Sequence, residues 1–328
     1  MAGVPPGSPW RPTASLDRLR LRADILRRIR TFFEERGVLE VETPLLGAAT
    51  VTDLHLRSFS TLFHGDRQRR LYLQTSPEFA MKRLLAAGSG PIFQICKAFR
   101  DGEAGGRHNP EFTMLEWYRP GFDLDDLMDE VDQLLREVLG SERAQRLSYG
   151  EAVQALAGFD PHGATAEELR RRAEALGLGP VEGLADDDRA GWRDLLVSLA
   201  VEPRLGLRRP TFVSGYPEDQ AALARLRREA GGVRVADRFE AYVRGVELAN
   251  GYRELTDGRE QKERLQRDLR ERRRRGLPQV PLDHRLIAAL DEGLPDCAGV
   301  SVGVDRLVLL AAGAERLSEV LAFPIDRS

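Results

Sequence analysis

Residues 91–118 read PIFQICKAFRDGEAGGRHNPEFTMLEWY. Two apolar runs flank a Gly-rich stretch, and strand, loop, strand predicts an antiparallel hairpin with a long tip. The second run places Glu111 and Glu116 among Phe112, Met114, Leu115, Trp117 and Tyr118. A core strand has no use for Glu116, because burying a carboxylate without a partner is costly. Either the strand is exposed on one face, or that face lines a pocket for something positive.

Upstream, residues 1–14 are rich in Pro and Gly and predict an irregular arm. Ser15 can cap the helix that follows, with apolar positions at Leu21, Ile25, Ile29, Phe32 and Phe33 and Gly37 after its end. VLEVETPLL (38–46) alternates as a strand stopped by Pro44. RLYLQTSPEFAMKRLLAAG (70–88) predicts a strand, a loop and a helix opening near Pro77. Downstream, 123–205 shows mainly helical spacing, 259–275 predicts an Arg-rich helix, and 293–313 predicts a Gly-rich strand running into a helix. Strands and helices do not alternate as βαβ units, so the expectation is an α+β fold with a mostly antiparallel sheet flanked by helices. Neither GxxxxGK[ST] nor a strand-linked GxGxxG is present, so a bound nucleotide is not held by either common phosphate loop.

Composition narrows the class. Hydrophobic residues are 42% and charged residues 31% of 328, with a net charge of −3, which describes a globular chain with a real core. Only Lys82, Lys97 and Lys262 of the 49 basic residues are Lys. In so balanced a chain the Arg bias does not argue for nucleic-acid binding. Cys96 and Cys297 lack metal-ligand spacing and predict small buried residues in a reducing compartment. No apolar run approaches the ~20 residues of a membrane span, and the start lacks the apolar core of a signal peptide.

A second chemical cluster lies in DRFEAYVRGVELANGYRELT (237–256). Arg244-Gly245 suits a two-residue turn between strands. On that register Val243 pairs with Val246, Tyr242 with Glu247 and Glu240 with Ala249. Glu240, Tyr242 and Glu247 then share a face, and Glu240 and Glu247 are placed to hold Mg²⁺ beside phosphates. Glu254 points the other way unless one residue is added, and Asn250-Gly251 is a natural place for that bulge. The plain alternative is three exposed glutamates on a solvated face. Arg100 ends an apolar strand and Arg306 opens an apolar helix. Each alone suits a surface charge, but together with His108 they look like a phosphate clamp.

These residues match a known pattern. GVLEVETPLL, FRDGEAGGRHNPEFTMLEWY and GVSVGVDRL resemble motifs 1, 2 and 3 of the class II aminoacyl-tRNA synthetases. RHNPEFTMLE and ELANGYREL point to the lysine-specific subgroup. The likeness runs from about residue 16 to the end. Only 37 residues precede VLEVETP, too few for the anticodon-binding domain of a bacterial lysyl-tRNA synthetase. The expectation is therefore one catalytic domain over 15–328, with a helical insertion near 123–205. It resembles the free-standing paralogs that act on elongation factor P and not on tRNA.

The resemblance implies activation of (R)-β-lysine or lysine by ATP with Mg²⁺, in a cytoplasmic homodimer joined through the motif 1 strand. It implies that Arg100 and Arg306 grip the α- and γ-phosphates, with Asp101, Gly102, His108, Asn109, Phe112, Glu247, Leu248 and Gly303 also at the nucleotide. Phe112 would stack on adenine, and Glu240 and Glu247 would carry the metal. Ser76, Pro77 and Glu78 would bind the amino acid, Glu78 at the amino group nearer the carboxylate. Glu116, Tyr118, Asn250, Tyr252, Glu254 and Ser301 would line its chain and distal ammonium. Two positions depart from the pattern: Gly102 stands where motif 2 usually has Glu, with Glu103 next door, and Ser301 stands where the synthetases have Gly. Two rival readings remain: a small lysyl-tRNA synthetase, and a non-catalytic paralog that only binds an amino acid.

Overall fold

The computed structural model of the chain describes residues 10–328 other than 66, 180 and 230. Residues 1–9 of the expected arm lie outside the described residues, and 10–14 form turns and bends. The chain divides into two compact units, Met1–Gly121 with Leu255–Ser328, and Phe122–Glu254.

The first unit begins with α1 (Leu16–Glu34), β1 (Leu39–Glu40), β2 (Leu46–Gly47), β3 (Ser60–His64), β4 (Gln68–Leu73), α2 (Glu78–Ala86), β5 (Ile92–Phe99) and β6 (Glu111–Pro120). The second contains α3 (Leu124–Leu139), β7 (Gln145–Ser148), α4 (Tyr149–Ala157), α5 (Ala166–Ala175), α6 (Arg189–Ala200), β8 (Thr211–Pro217), β9 (Leu226–Arg228), β10 (Arg234–Val243) and β11 (Val246–Arg253). The chain then completes the first unit with α7 (Gly258–Arg274), α8 (His284–Gly293), β12 (Cys297–Gly303) and α9 (Val304–Ala311).

In the first unit β5 pairs antiparallel with β6, β6 pairs antiparallel with β12, and β1 adds a parallel edge on β5. A separate antiparallel sheet runs β2-β4-β3. Ser15 caps α1, its side chain accepting from the Arg18 N–H, which satisfies one of the orphan donors of the first turn. The periodic residues Ile25, Ile29, Phe32 and Phe33 are fully buried, a burial contributing roughly 1.5–3 kcal/mol each. Phe33 stacks on Phe93 at 4.6 Å and meets Trp117 edge-on at 5.0 Å. One face of the β5-β6 hairpin is thereby spent on α1.

The motif 1 strand is much shorter than its alternation predicts. Only Leu39 and Glu40 are strand. The Val41 N–H still bonds the Phe93 carbonyl, Thr43 turns its hydroxyl to the Gln94 side chain, and Pro44 has no N–H to continue.

In the second unit β10 pairs antiparallel with β11, β8 and β9, and β7 lies parallel to β8. Arg244 and Gly245 form the turn, both at positive φ, 52° and 68°, the geometry of a type I′ connection. Helices α4, α5 and α6 bury Tyr149, Val153, Leu169, Trp192 and Leu196 against residues of β8 and β10.

Candidate active site

Side chains alternate across a strand, so the β5-β6-β12 register decides which residues share a face. Gln94 lies opposite Glu116, and Glu116 opposite Ser301. The face turned away from α1 therefore carries Gln94, Glu116 and Ser301 in one row. Cys96, Met114 and Gly303 form the next row. At the far end Ile92 and Tyr118 are covered by Met81 and Leu85 of α2 and by Leu286 and Leu290 of α8. Glu116 is 3% exposed and accepts the Tyr118 hydroxyl at 2.6 Å. Burial, with the Glu116 charge second, pushes the Cys96 thiol up to about 12. Cys96 is thus an inert packing group at neutral pH.

The cations gather at the hairpin tip. Arg100 follows β5, its backbone N–H bonding the Pro110 carbonyl across the loop. Its guanidinium lies 5.1 Å from the Phe112 ring centroid and 3.7 Å from Glu103, and its Nε is buried with no hydrogen-bond acceptor. Arg306 projects from the first turn of α9 and meets His108 Nε2 at 2.7 Å. Asp305 fixes that turn by accepting from the Thr113 N–H and from Arg22. Burial, then the Arg306 charge, lowers the His108 pKa below 6.5, with Glu103 opposing and Arg100 adding to the effect. A neutral imidazole can accept from Arg306. Arg100, His108 and Arg306 thus form one cationic cluster, with an unanswered guanidinium N–H within it.

Other expected residues also bond within the chain. Asn109 donates to the Glu111 carbonyl and accepts from the Ile325 N–H, which ties the loop to the C-terminal segment and leaves a second amide N–H and a second lone pair. Asp101 is likewise engaged by Arg57 at 2.8 Å. Gly102 has φ +87°, in the left-handed region that favours glycine, so a Glu at this position would strain the turn. Ser76 accepts the Glu78 N–H, and Pro77 precedes the first turn of α2. Glu78 bonds Lys82 at 2.5 Å, and Lys82 is 2% exposed. One of the three lysines in an arginine-rich chain therefore sits where a compact ammonium on a slim stem fits under a buried turn.

The second unit corrects the register around its carboxylates. Val243 pairs with Val246 and Tyr242 with Glu247 as expected. The shift then falls between Ala241 and Tyr242, so Ala241 pairs with Ala249 and Glu240 with Asn250. The extra residue is Leu248, two positions before the expected bulge at Asn250-Gly251. It puts Arg238, Glu240, Tyr242, Glu247, Asn250, Tyr252 and Glu254 on one face by alternation. Glu254 is 1% exposed, whereas Glu247 and Tyr252 are half-buried.

Glu240 does not fit a magnesium ligand. Its Oε2 accepts the hydroxyls of Tyr216 at 2.7 Å and Tyr242 at 2.5 Å, and its Oε1 bonds Arg238. Burial first, then the Glu240 charge, pushes both phenols well above 10, so they stay protonated and keep donating. A guanidinium already holds the place a cation would take. Arg238 and Tyr216 were missed in the sequence reading. Arg238 left a signal, since it stands two residues before Glu240 on the same strand face. Tyr216 left none, because it reaches Glu240 from another strand, 24 residues away.

Comparison with known proteins gives the family. The family tRNA synthetases class II (D, K and N) matches residues 10–327. The Elongation factor P–(R)-beta-lysine ligase of Salmonella paratyphi B is 52% identical over 322 residues, covering 97% of this chain and 98% of that protein. The protein of the same name from Salmonella arizonae has the same identity and coverage. Among the described residues no helix is long and apolar enough to cross a membrane. With nearly its whole length matched and its motif arginines and histidine gathered in one cluster, this chain belongs to the class II tRNA synthetases of the D, K and N group.

Proposed function

We propose that the chain is an ATP-dependent aminoacyl ligase that activates (R)-β-lysine or lysine and transfers it to a lysine ε-amine of elongation factor P. The observation that carries this reading is the cluster of Arg100, His108 and Arg306, in which the buried Arg100 Nε has no acceptor. A triphosphate supplies acceptors for the outer guanidinium nitrogens of Arg100, which reach solvent and lie 3.7 Å from Glu103, too far for a full hydrogen bond. The 52% identity to ligases of that name supports the substrate assignment.

In the reaction a carboxylate oxygen attacks the α-phosphorus, the bridging P–O bond breaks and pyrophosphate leaves. The amine nitrogen of the acceptor lysine then attacks the carbonyl carbon, AMP leaves, and the new amide nitrogen gives its proton to water. Arg100 balances charge developing at the α-phosphate, Arg306 holds the terminal phosphate, and Phe112 offers its ring to the base. Glu116 and Tyr118 receive the distal ammonium. In the second unit, Asn250, Tyr252 and Glu254 are assigned to the amino acid. Of the two carboxylates expected to hold a divalent ion, Glu247 is retained, and such an ion would offset phosphate charge. Exposed Leu39, Leu46 and Phe63 in the short strands of the first unit support a homodimer, and modification of a translation factor fits the cytoplasm.

The deciding test is ATP–pyrophosphate exchange with each lysine isomer, followed by mass analysis of elongation factor P. No amino-acid-dependent exchange would favour the non-catalytic reading, and charging of tRNA alone would favour the small synthetase. Ser301 lies opposite Glu116 and adds a hydroxymethyl group where the synthetases have Gly. Ser301→Gly is expected to shift the ratio of kcat/KM for the two isomers toward α-lysine by roughly tenfold, the worth of one well-placed group in a pocket. An unchanged ratio removes Ser301 from specificity.

His108 gives a proton signature. Below about 6.5 the unfolded chain takes up a proton that folded His108 refuses, so this group costs stability as the pH falls from 6.5 toward its depressed folded value. A bound polyanion favours the imidazolium and raises that value. ATP binding near pH 6 should therefore take up protons, seen by calorimetry in two buffers of different ionisation heat. His108→Gln should abolish that uptake.

A further inference from the structure

Arg238 was not singled out in the sequence, yet all three of its guanidinium nitrogens are hydrogen-bonded on the second unit's acidic face. Its Nε–H donates to Asn250 Oδ1 at 3.1 Å, its Nη1 to the Gln220 carbonyl at 2.8 Å, and its Nη2 to Glu240 Oε1. Its guanidinium carbon lies 4.5 Å from the Tyr216 ring centroid and 5.8 Å from that of Tyr252. Glu240 in turn is held by the hydroxyls of Tyr216 and Tyr242. Both ends of the contact with Asn250 are therefore fixed: the donor by four neighbours, the acceptor by its place opposite Glu240 in the bulged register.

An amide side chain can present either its oxygen or its NH₂ in a given direction. Arginine has donors only, so the Asn250 end that faces Arg238 must be the oxygen. The NH₂ end is then the one left for a ligand, and as a donor it suits the amino acid's carboxylate and not the distal ammonium to which the resemblance assigned Asn250. Without Arg238 the amide is free to turn over, and half of its orientations offer the ligand the wrong group.

We infer that Arg238 is a positioning residue for amino-acid binding, setting the orientation of the Asn250 amide while Glu240, Tyr216 and Tyr242 hold Arg238 in place. The inference rests on the reading of Asn250 as a substrate contact, and it gives Glu240 a task as the anchor of Arg238. Residues that orient metal ligands typically cost 10–100-fold when removed, and an effect of similar size is expected for a residue that orients a direct substrate contact.

The test is amino-acid-dependent pyrophosphate exchange on the full chain, as wild type, Arg238→Met, Arg238→Lys, Asn250→Ala and the double variant Arg238→Met/Asn250→Ala. Arg238→Met should raise KM for the amino acid roughly tenfold or more, with KM for ATP within about twofold of wild type. In the Asn250→Ala background the same change should add less than about twofold, because its effect passes through that amide. Arg238→Lys keeps a cation for Glu240 but loses the guanidinium fork, and it is the variant to read if Arg238→Met does not fold. Effects on KM that multiply in the double variant, or a folded Arg238→Lys with wild-type KM for the amino acid, overturn the inference. A wild type without exchange overturns the underlying reading and this one with it.

Discussion

Arg100→Ala is expected to lower the rate of pyrophosphate exchange by roughly 10³-fold, the usual loss when one preorganised donor to a transferring phosphoryl group is removed. The size follows from where Arg100 stands. Its guanidinium is buried enough that Nε meets no water, it lies over Phe112, and Glu103 at 3.7 Å is too far for a full hydrogen bond. A guanidinium that is partly shielded from water and lacks a full hydrogen bond through its outer nitrogens gives more of its strength to an oxyanion, because less solvent is reorganised when charge develops. KM for ATP should move far less than kcat if, as proposed, Arg306 and His108 still hold the nucleotide. Arg100→Lys should recover little, as an ammonium lacks the planar fork. Stability should hardly change: the backbone bond to Pro110 survives, and an ion pair at 3.7 Å contributes almost nothing. Thermal unfolding beside the exchange rate separates these outcomes. A kcat within tenfold of wild type in a folded variant would remove Arg100 from the chemistry.

What could be read in advance depended on how local its cause was. The hairpin at 91–118, the turn at Arg244-Gly245 and the passage from β12 into α9 were all legible, because alternation and glycine placement act within a few residues. The site's first-unit row was legible for the same reason: once β5, β6 and β12 are strands in that register, Gln94, Glu116 and Ser301 must line up. The bulge was foreseen in kind and misplaced by two residues. Asn250-Gly251 looks like the softer spot, but β10 is paired on both sides, with its own shift against β8 between Ala236 and Phe239. The short strand at Leu39 was misread because alternation says nothing about which partner lies alongside. Glu240 was assigned to a metal by its charge and face. Its real partners, Tyr216 above all, come from another strand, and no period in the sequence announces them. Gly102 was noted as a departure, and its positive φ now supplies the reason.

Glu116→Gln should lower kcat/KM for lysine roughly 10²–10³-fold, the cost of removing one charge from a buried charge-assisted pair. The substitution is nearly isosteric, and the remaining carbonyl can still accept the Tyr118 hydroxyl that Glu116 now holds at 2.6 Å. Packing therefore survives, and Tm should stay within a few degrees. What is lost is charge at a position 3% exposed, where the surroundings screen little and a cationic ligand gains most. The loss should fall on KM for the amino acid, because the distal ammonium is bound alike in ground and transition states. A substrate analogue with a methyl group in place of that ammonium supplies the matching arm: it should bind poorly to the wild type and lose almost nothing further in Glu116→Gln. Cys96 reports the same charge without any turnover. Burial holds its thiol at about 12, and Glu116 is the second cause. Removing the carboxylate should bring the thiol part of the way down, visible as faster alkylation at high pH in the folded variant. Lysine at saturation should produce a similar shift in the wild type by neutralising Glu116. Faster alkylation in Glu116→Gln combined with an unchanged KM for lysine would mean that the carboxylate is charged and near Cys96 but turned away from the ligand.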